Sequence, residues 1–235
     1  MADPTLPTYR LEDDIAVIAL DDGKANVFSN ASLEALEVLL DRVESERARG
    51  LVLHGRPGRF SAGFDLGEMT ADVETMRALV VRGGRWWLRL YGLGIPTVAA
   101  CTGHALAGGA ITLLSCDVRV GTDGVGTIGL NEVAIGLTLP IFGVELARDR
   151  IRSEHLLRVV TGEVFDTAGA IEVGFLDRAV PDDQVLTTAL EEARALAERN
   201  TTAFGGTKAN LRGPMIERCL AGIVDDLARM AGPKV

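Results

Sequence analysis

Aromatic residues are scarce in this chain, at 5%, and it holds only three cysteines and three histidines. Cys101, Cys116 and Cys219 form an odd set without metal-ligand spacing. That excludes a disulfide framework and leaves the thiols as small apolar side chains of a reduced, cytoplasmic protein. His54, His104 and His155 are not spaced to share a metal, so no metal site is expected. No segment reaches about 18 uninterrupted apolar residues, so no membrane span is expected. The opening residues MADPTLPTYRLEDD have neither a basic region nor an apolar core and are too acidic for a transit peptide, so no targeting segment is expected there. Net positive charge is also missing. A formal charge of −9 argues against general nucleic-acid or anionic-membrane binding, although a local basic cluster can still meet an anionic small ligand.

What is present is ample apolar matter, 47% of 235 residues, together with 27 glycines. That suits one large domain, or one with a smaller appendage, with many tight turns or close backbone approaches. IAVIAL (15–20) reads as a strand and DDGKAN (21–26) as a turn. Leu33, Leu36, Leu39, Leu40 and Val43 recur at helical spacing, predicting a helix over 29–48. LVLHG (51–55) is a short buried strand. The glycine-rich stretch 55–69 is a loop running toward a helix, with Asp65 as N-cap and Glu68 three residues on. Residues 70–92 are helical, 96–103 a strand, 104–115 a helix starting at Gly108-Gly109, and 116–121 the next strand. Beyond 142 the pattern is mainly helical, with one short strand over 176–181. The alternation in the first half indicates an α/β protein with layered packing.

The tail has two readings. Ile216, Leu220, Ile223, Val224 and Leu227 form a helical stripe that covers the chain's own core, or Gly205-Gly206 and Gly213-Pro214 mark an arm that docks on a neighbouring subunit.

Three places carry candidate chemistry. In FSAGFDL (60–66) small residues around Gly63 let a ligand approach the backbone, and the N–H of Phe64 is free to point outward if a helix begins there. In GHALAGGA (103–110) the amides of Gly108 and Gly109 lie where a strand ends and a helix begins, at the positive end of a helix dipole. Two amides aimed at one point make an oxyanion hole. In IGLNEVAIGLTLP (128–140) the only ionisable side chain is Glu132. A carboxylate inside an apolar run either turns to solvent, finds an arginine, or serves as a base made stronger by low polarity.

Together, in this order and spacing, GRFSAGFDL, PTVAACTGHALAGGA, SCDVRVG and IGLNEVAIGL resemble the crotonase (enoyl-CoA hydratase/isomerase) superfamily over about residues 15–212. The resemblance implies a crotonase-like spiral of ββα units with a helical C-terminal region, assembled as a homotrimer or dimer of trimers. It implies a core domain over 1–195 and a C-terminal helical segment over 196–235 involved in oligomer packing. The substrate would be an acyl-CoA thioester, with coenzyme A as part of the substrate and no separate cofactor. Its carbonyl oxygen would lie between the N–H groups of Phe64 and Gly108, with Glu132 as acid/base. Lys24, Ala25, Val27, Ser61, Ala62, Asp65, Leu66, His104, Gly109, Ile111 and Leu137 are the positions expected to bind substrate.

Hydratases of this family use two glutamates. One matches Glu132, but the place of the other is taken by Ile111. The LNE context with an apolar partner is similar to the mitochondrial-type Δ3,Δ2-enoyl-CoA isomerases, in which one carboxylate takes a proton from C2 and returns it at C4. Two alternatives stand beside isomerisation: hydration of 2-enoyl-CoA with one glutamate, and acyl-CoA binding without chemistry. A serine peptidase on the same fold lacks a motif here, since Ser61 and Ser115 have no nucleophile-elbow context. Asp117 resembles a structural position of the family. Lys24, Arg56, Arg59, Lys208 and Arg212 could meet CoA phosphates, though each taken singly reads as solvated surface.

Overall fold

The computed structural model describes residues 5–232. The chain opens with β1 (Thr8–Glu12), β2 (Ile15–Ala19), β3 (Val27–Phe28) and α1 (Asn30–Ser45). It continues through β4 (Gly50–His54), β5 (Gly58–Ser61), β6 (Gly63–Phe64), α2 (Leu66–Ala71) and α3 (Val73–Gly92). Next come β7 (Thr97–Cys101), β8 (Gly103–Leu106) and α4 (Gly108–Ser115), then β9 (Val118–Thr122), β10 (Ile128–Gly129) and α5 (Ile141–Arg150). The remainder is α6 (Leu156–Val160), β11 (Val164–Phe165), α7 (Thr167–Val173), β12 (Arg178–Val180), α8 (Val185–Ala197) and α9 (Thr201–Leu227).

A six-stranded sheet in the order β1-β2-β4-β7-β9-β12 carries the fold; β1 is antiparallel and the other pairings are parallel. After each of β2, β4, β7 and β9 the chain lays one or two short strands into a smaller sheet and then returns through helix. β5, β8, β10 and β11 make one small sheet; β3 and β6 make the other. This repetition is the expected spiral of ββα units, closed by a helical C-terminal part.

The central strands read as continuous apolar runs because both faces are covered. Val17, Val52 and Val98 stand side by side in register and meet Val185, Ala189 and Ala193 of α8 on one face. Alternate residues such as Ile18, Leu53 and Ala99 turn to the main core on the other. The scarce aromatics gather in that core: the Trp87 ring lies 5.3 Å from Phe28, 5.3 Å from Phe64 and 5.9 Å from Phe142.

The tail is a helix on its own core and not a projecting arm. α9 runs unbroken through Gly205, Gly206, Gly213 and Pro214. Tertiary contact overrides the local breakers. A Cβ on Gly205 would come within 2.7 Å of the Gly94 carbonyl, and one on Gly84 of α3 within 2.7 Å of Ile223, so glycine on either helix permits the close approach. Cys219, Ile223 and Leu227 are buried in the main core, while Leu220 and Val224 of the same stripe are exposed.

Two of the basic residues weighed as CoA ligands are not solvated surface. Lys208 and Arg212 are buried, and both bind Asp117, at 2.8 and 2.7 Å. Asp117 also accepts from the Thr97 amide and hydroxyl. Burial alone would raise its carboxyl, but the two cations outweigh that and hold it below the usual carboxylate range. All three cysteines are buried and free, and burial pushes the thiols of Cys101 and Cys116 up to about 12.

Candidate active site

The turn at 21–26 sets the first wall. Asp22 accepts from the amides of Lys24 and Val27, and buried Asn26 donates to the carbonyls of Leu20 and Arg59. This locks Ala25 and Val27 against the following strand pair, where Ala62 N–H donates to Ala25 O at 2.9 Å. Next to it, the Asp65 amide donates to Phe28 O at 3.1 Å. Phe64 therefore sits between two backbone bonds that tie its strand to β3 and the turn before it.

The strand that carries Phe64 packs closely on the start of α4. Gly63 has φ +95°, and a Cβ there would lie 2.9 Å from Ala107 Cβ and 3.1 Å from the Gly108 nitrogen. Only a glycine brings β6 this near the start of α4. The first bond inside α4 runs from Ile111 N–H to Ala107 O, so the amides of Gly108, Gly109 and Ala110 have no partner within the helix. Ala107 is held at φ 47°, ψ −118° by donating to Gly129 O. Behind it, a Cβ on Gly108 would meet the Trp87 ring at 2.8 Å, and Trp87 Nε1 donates to Thr112, whose hydroxyl donates to Gly108 O. β6, which carries Phe64, and the start of α4 at Gly108 thus lie close together, with Phe64 but not Gly108 among the residues lining the cavity described below.

β10 delivers the acid. The chain leaves it at Gly129, and the carbonyl of Glu132 accepts from the amides of Ile135 and Leu137, closing a tight turn with Gly136 in the left-handed region. This aims the Glu132 side chain inward, where it is 7% exposed. Burial pushes its carboxyl up to about 7, offset in part by a bond to its own backbone amide. Among the described residues, neither Glu132 Oε2 nor Asn131 Oδ1 has a hydrogen-bond partner. Both residues line an apolar cavity of about 300 Å³.

Of the positions expected from the sequence, Ala25, Val27, Ala62, Phe64, Leu66, Ile111, Glu132 and Leu137 line this cavity. The rest lie behind or beside it. Lys24 is exposed on the neighbouring turn, its carbonyl bound by Arg56. Ser61 is buried and accepts from the Gly63 amide, and Gly109 packs so tightly on it that a Cβ would lie 2.3 Å from Ser61 O. Asp65 caps α2, accepting from Glu68 N–H. Glu68 does not return the bond as a capping box would; its carboxylate reaches Asn30 at the start of α1. His104 Nδ1 accepts from Thr127 N–H at 3.0 Å. Sequence reasoning missed Met69, Val80, Asn131, Phe142 and Met230 in the wall. Asn131 had a signal, as the polar neighbour of Glu132 in an apolar run.

A second, more open concavity of about 540 Å³ is lined by Asp117, Lys208 and Arg212 with Phe204 and Leu211. Its buried cations Lys208 and Arg212 are paired to Asp117, whereas the Glu132 carboxylate has no ion-pair partner among the described residues. Among the described residues no group of three or more His, Cys, Asp or Glu could hold a metal ion.

The family model for enoyl-CoA hydratase/isomerase matches residues 10–225. The chain is 34% identical over 186 residues to Enoyl-CoA delta isomerase 1, mitochondrial, of Homo sapiens, a match covering 75% of this chain and 60% of that protein. It therefore spans less than two thirds of that relative's length. The fold superposes on the crystal structure of an enoyl-CoA hydratase/isomerase family protein from Pseudomonas syringae with TM-score 0.92 at 38% identity, covering 96% of this chain and 98% of that one. An enoyl-CoA hydratase from Mycobacterium marinum gives TM-score 0.90 at 34% identity, covering 96% and 99%. Proteins named for both reactions are therefore among those this chain is similar to.

Proposed function

The chain belongs to the enoyl-CoA hydratase/isomerase family, and from that premise we propose that it is an isomerase, moving the double bond of a 3-enoyl-CoA to the 2-trans position. One observation carries the reading: among the described residues Glu132 is the only ionisable side chain lining the cavity, and Ile111, at the position the family resemblance gives to a second acid, lines it too.

In this scheme the thioester oxygen accepts from the N–H groups of Phe64 and Gly108. Glu132 removes a proton from C2, and the electron pair spreads through C1 and its oxygen as a dienolate that the two amides stabilise. The same carboxyl returns the proton at C4, which leaves the double bond between C2 and C3 and Glu132 ionised again. Each preorganised donor is worth about 3–4 kcal/mol of barrier. The raised basicity of Glu132 suits a weakly acidic C–H. A wall of Ile111, Leu137 and Phe142 excludes water that would otherwise add to the conjugated product.

Coenzyme A enters as part of the substrate, and the scheme needs no other cofactor. Lys24, Arg56 and Arg59 cluster beside Ala25 and Ala62 and are the residues we assign to the CoA phosphates. We place the protein in the cytoplasm as a homotrimer or dimer of trimers; no helix among the described residues is long and apolar enough to cross a membrane. The second reading is hydration of 2-enoyl-CoA, favoured by the likeness to proteins named as hydratases. The reading is tested by Glu132→Gln, which keeps shape and removes basicity: isomerase turnover falls about 10²-fold or more, whereas wild-type turnover on every acyl-CoA refutes it.

A further inference from the structure

Among the described residues, those lining the cavity lie at or before Phe142 in the chain, with one exception, Met230. It sits just beyond α9, and its side chain is buried, 7% exposed. The segment that carries it is tied down on both sides. Asp226 Oδ2 accepts from the Ile141 amide at 2.8 Å, joining α9 to the first residue of α5, next to the wall residues Pro140 and Phe142. Beyond it, Arg77 Nε and Nη2 both donate to the Met230 carbonyl, at 3.3 and 3.1 Å. Arg77 lies one turn before the wall residue Val80 on α3, and its other partner is the exposed Glu74. A guanidinium at the carbonyl end of a helix is also favoured by the helix dipole. The C-terminal segment is therefore a strap across the cavity, and a flexible, unbranched thioether is the part that enters the wall.

We propose that Met230 sets the acyl-chain length this protein accepts, and that Arg77 is the positioning residue that holds it there. The proposal rests on the reading that the cavity receives the acyl chain of a CoA thioester. Met230→Ala opens the wall by most of a side chain, and Met230→Phe fills it. Each methylene newly accommodated strengthens binding about fourfold.

The test is the dissociation constant of saturated acyl-CoAs, from four to sixteen carbons, on wild type and both variants, with circular dichroism as the folding control. The expected result is that the tightest-binding length moves up by two or more carbons in Met230→Ala and down in Met230→Phe. Arg77→Ala should move it in the same direction as Met230→Ala, Arg77→Lys should restore part of the wild-type profile, and the double variant should add little. Superimposable profiles for wild type and folded variants overturn the proposal while leaving the acyl-CoA reading intact. A wild type that binds no acyl-CoA of any length overturns that reading, and the proposal with it.

Discussion

Ile111 and Glu132 line one cavity from different elements, Ile111 on the first turn of α4 and Glu132 on the turn after β10. In the proposed isomerase scheme, this pairing of a solitary acid with an aliphatic side chain sets which reaction of an enoyl thioester the site supports. A single carboxyl can carry a proton from one carbon to another. Holding and splitting a water between two acids is a different task.

Replacing Ile111 by glutamate supplies the missing acid. Ile111→Glu is expected to raise hydration of 2-enoyl-CoA relative to isomerisation by about tenfold or more. A second buried carboxylate is expected to destabilise the fold by several kcal/mol. Product analysis and a urea titration on the same preparation read both effects. An unchanged product ratio in a folded variant removes Ile111 from the account of reaction choice.

With Glu132 as the proposed base, activity and stability are expected to run in opposite directions with pH. Its carboxyl is raised to about 7 in the folded protein from an ordinary value of 4.5. As a base it must be ionised, so kcat/KM should fall as pH drops below about 7. For stability the sign reverses. The folded state holds a proton that the unfolded state has released, so this group's contribution is present below the ordinary value and is lost as pH rises to about 7. Glu132→Gln is therefore expected to be more stable than wild type at pH 8, by on the order of 3 kcal/mol, and nearly equal to it at pH 4. Melting curves at the two pH values check this; equal stability at both would mean the carboxylate is solvated.

Gly63 is the position where a single methyl should damage catalysis without touching substrate. Its φ of +95° and a Cβ path 3.1 Å from the Gly108 nitrogen mean that Gly63→Ala must shift that amide. Loss of one oxyanion donor is expected to lower kcat by about 10² with little change in KM. A folded Gly63→Ala protein with full kcat would remove the Gly108 amide from the mechanism.

Asp117 anchors α9 through Lys208 and Arg212. Asp117→Asn leaves Lys208 and Arg212 buried beside a neutral amide and is expected to cost about 3–5 kcal/mol of stability. Because its folded value is depressed, its contribution is present above the ordinary carboxylate range and is lost as pH falls through the folded value. The pH dependence of the difference between wild type and Asp117→Asn, followed by denaturation from pH 7 downward, reads this directly.

The central strands were legible because Val17, Val52 and Val98 sit in apolar runs covered on both faces. The short strands β3, β6, β10 and β11 were not. Each has two residues, and each is defined by a partner far along the chain, so no local period marks it. For the same reason the expected strand over 96–103 turns out to be β7 and the start of β8, which enter different sheets. Glu132 stood out from sequence because its surroundings are contiguous, whereas Met230 reaches the cavity only through the fold of α9. Glycine and proline at 205–206 and 213–214 suggested a break that Asp117, through Lys208 and Arg212, prevents.

In the proposed function this site shifts a double bond and does not add water efficiently. That reading is tested most directly by giving the wild-type protein 3-enoyl-CoA and 2-trans-enoyl-CoA in separate assays and comparing kcat/KM for isomerisation with that for hydration. Isomerisation is expected to exceed hydration by about 10² or more, the span a second general acid is worth. Rapid conversion of 2-trans-enoyl-CoA to 3-hydroxyacyl-CoA, at a rate equal to or above isomerisation, would contradict it.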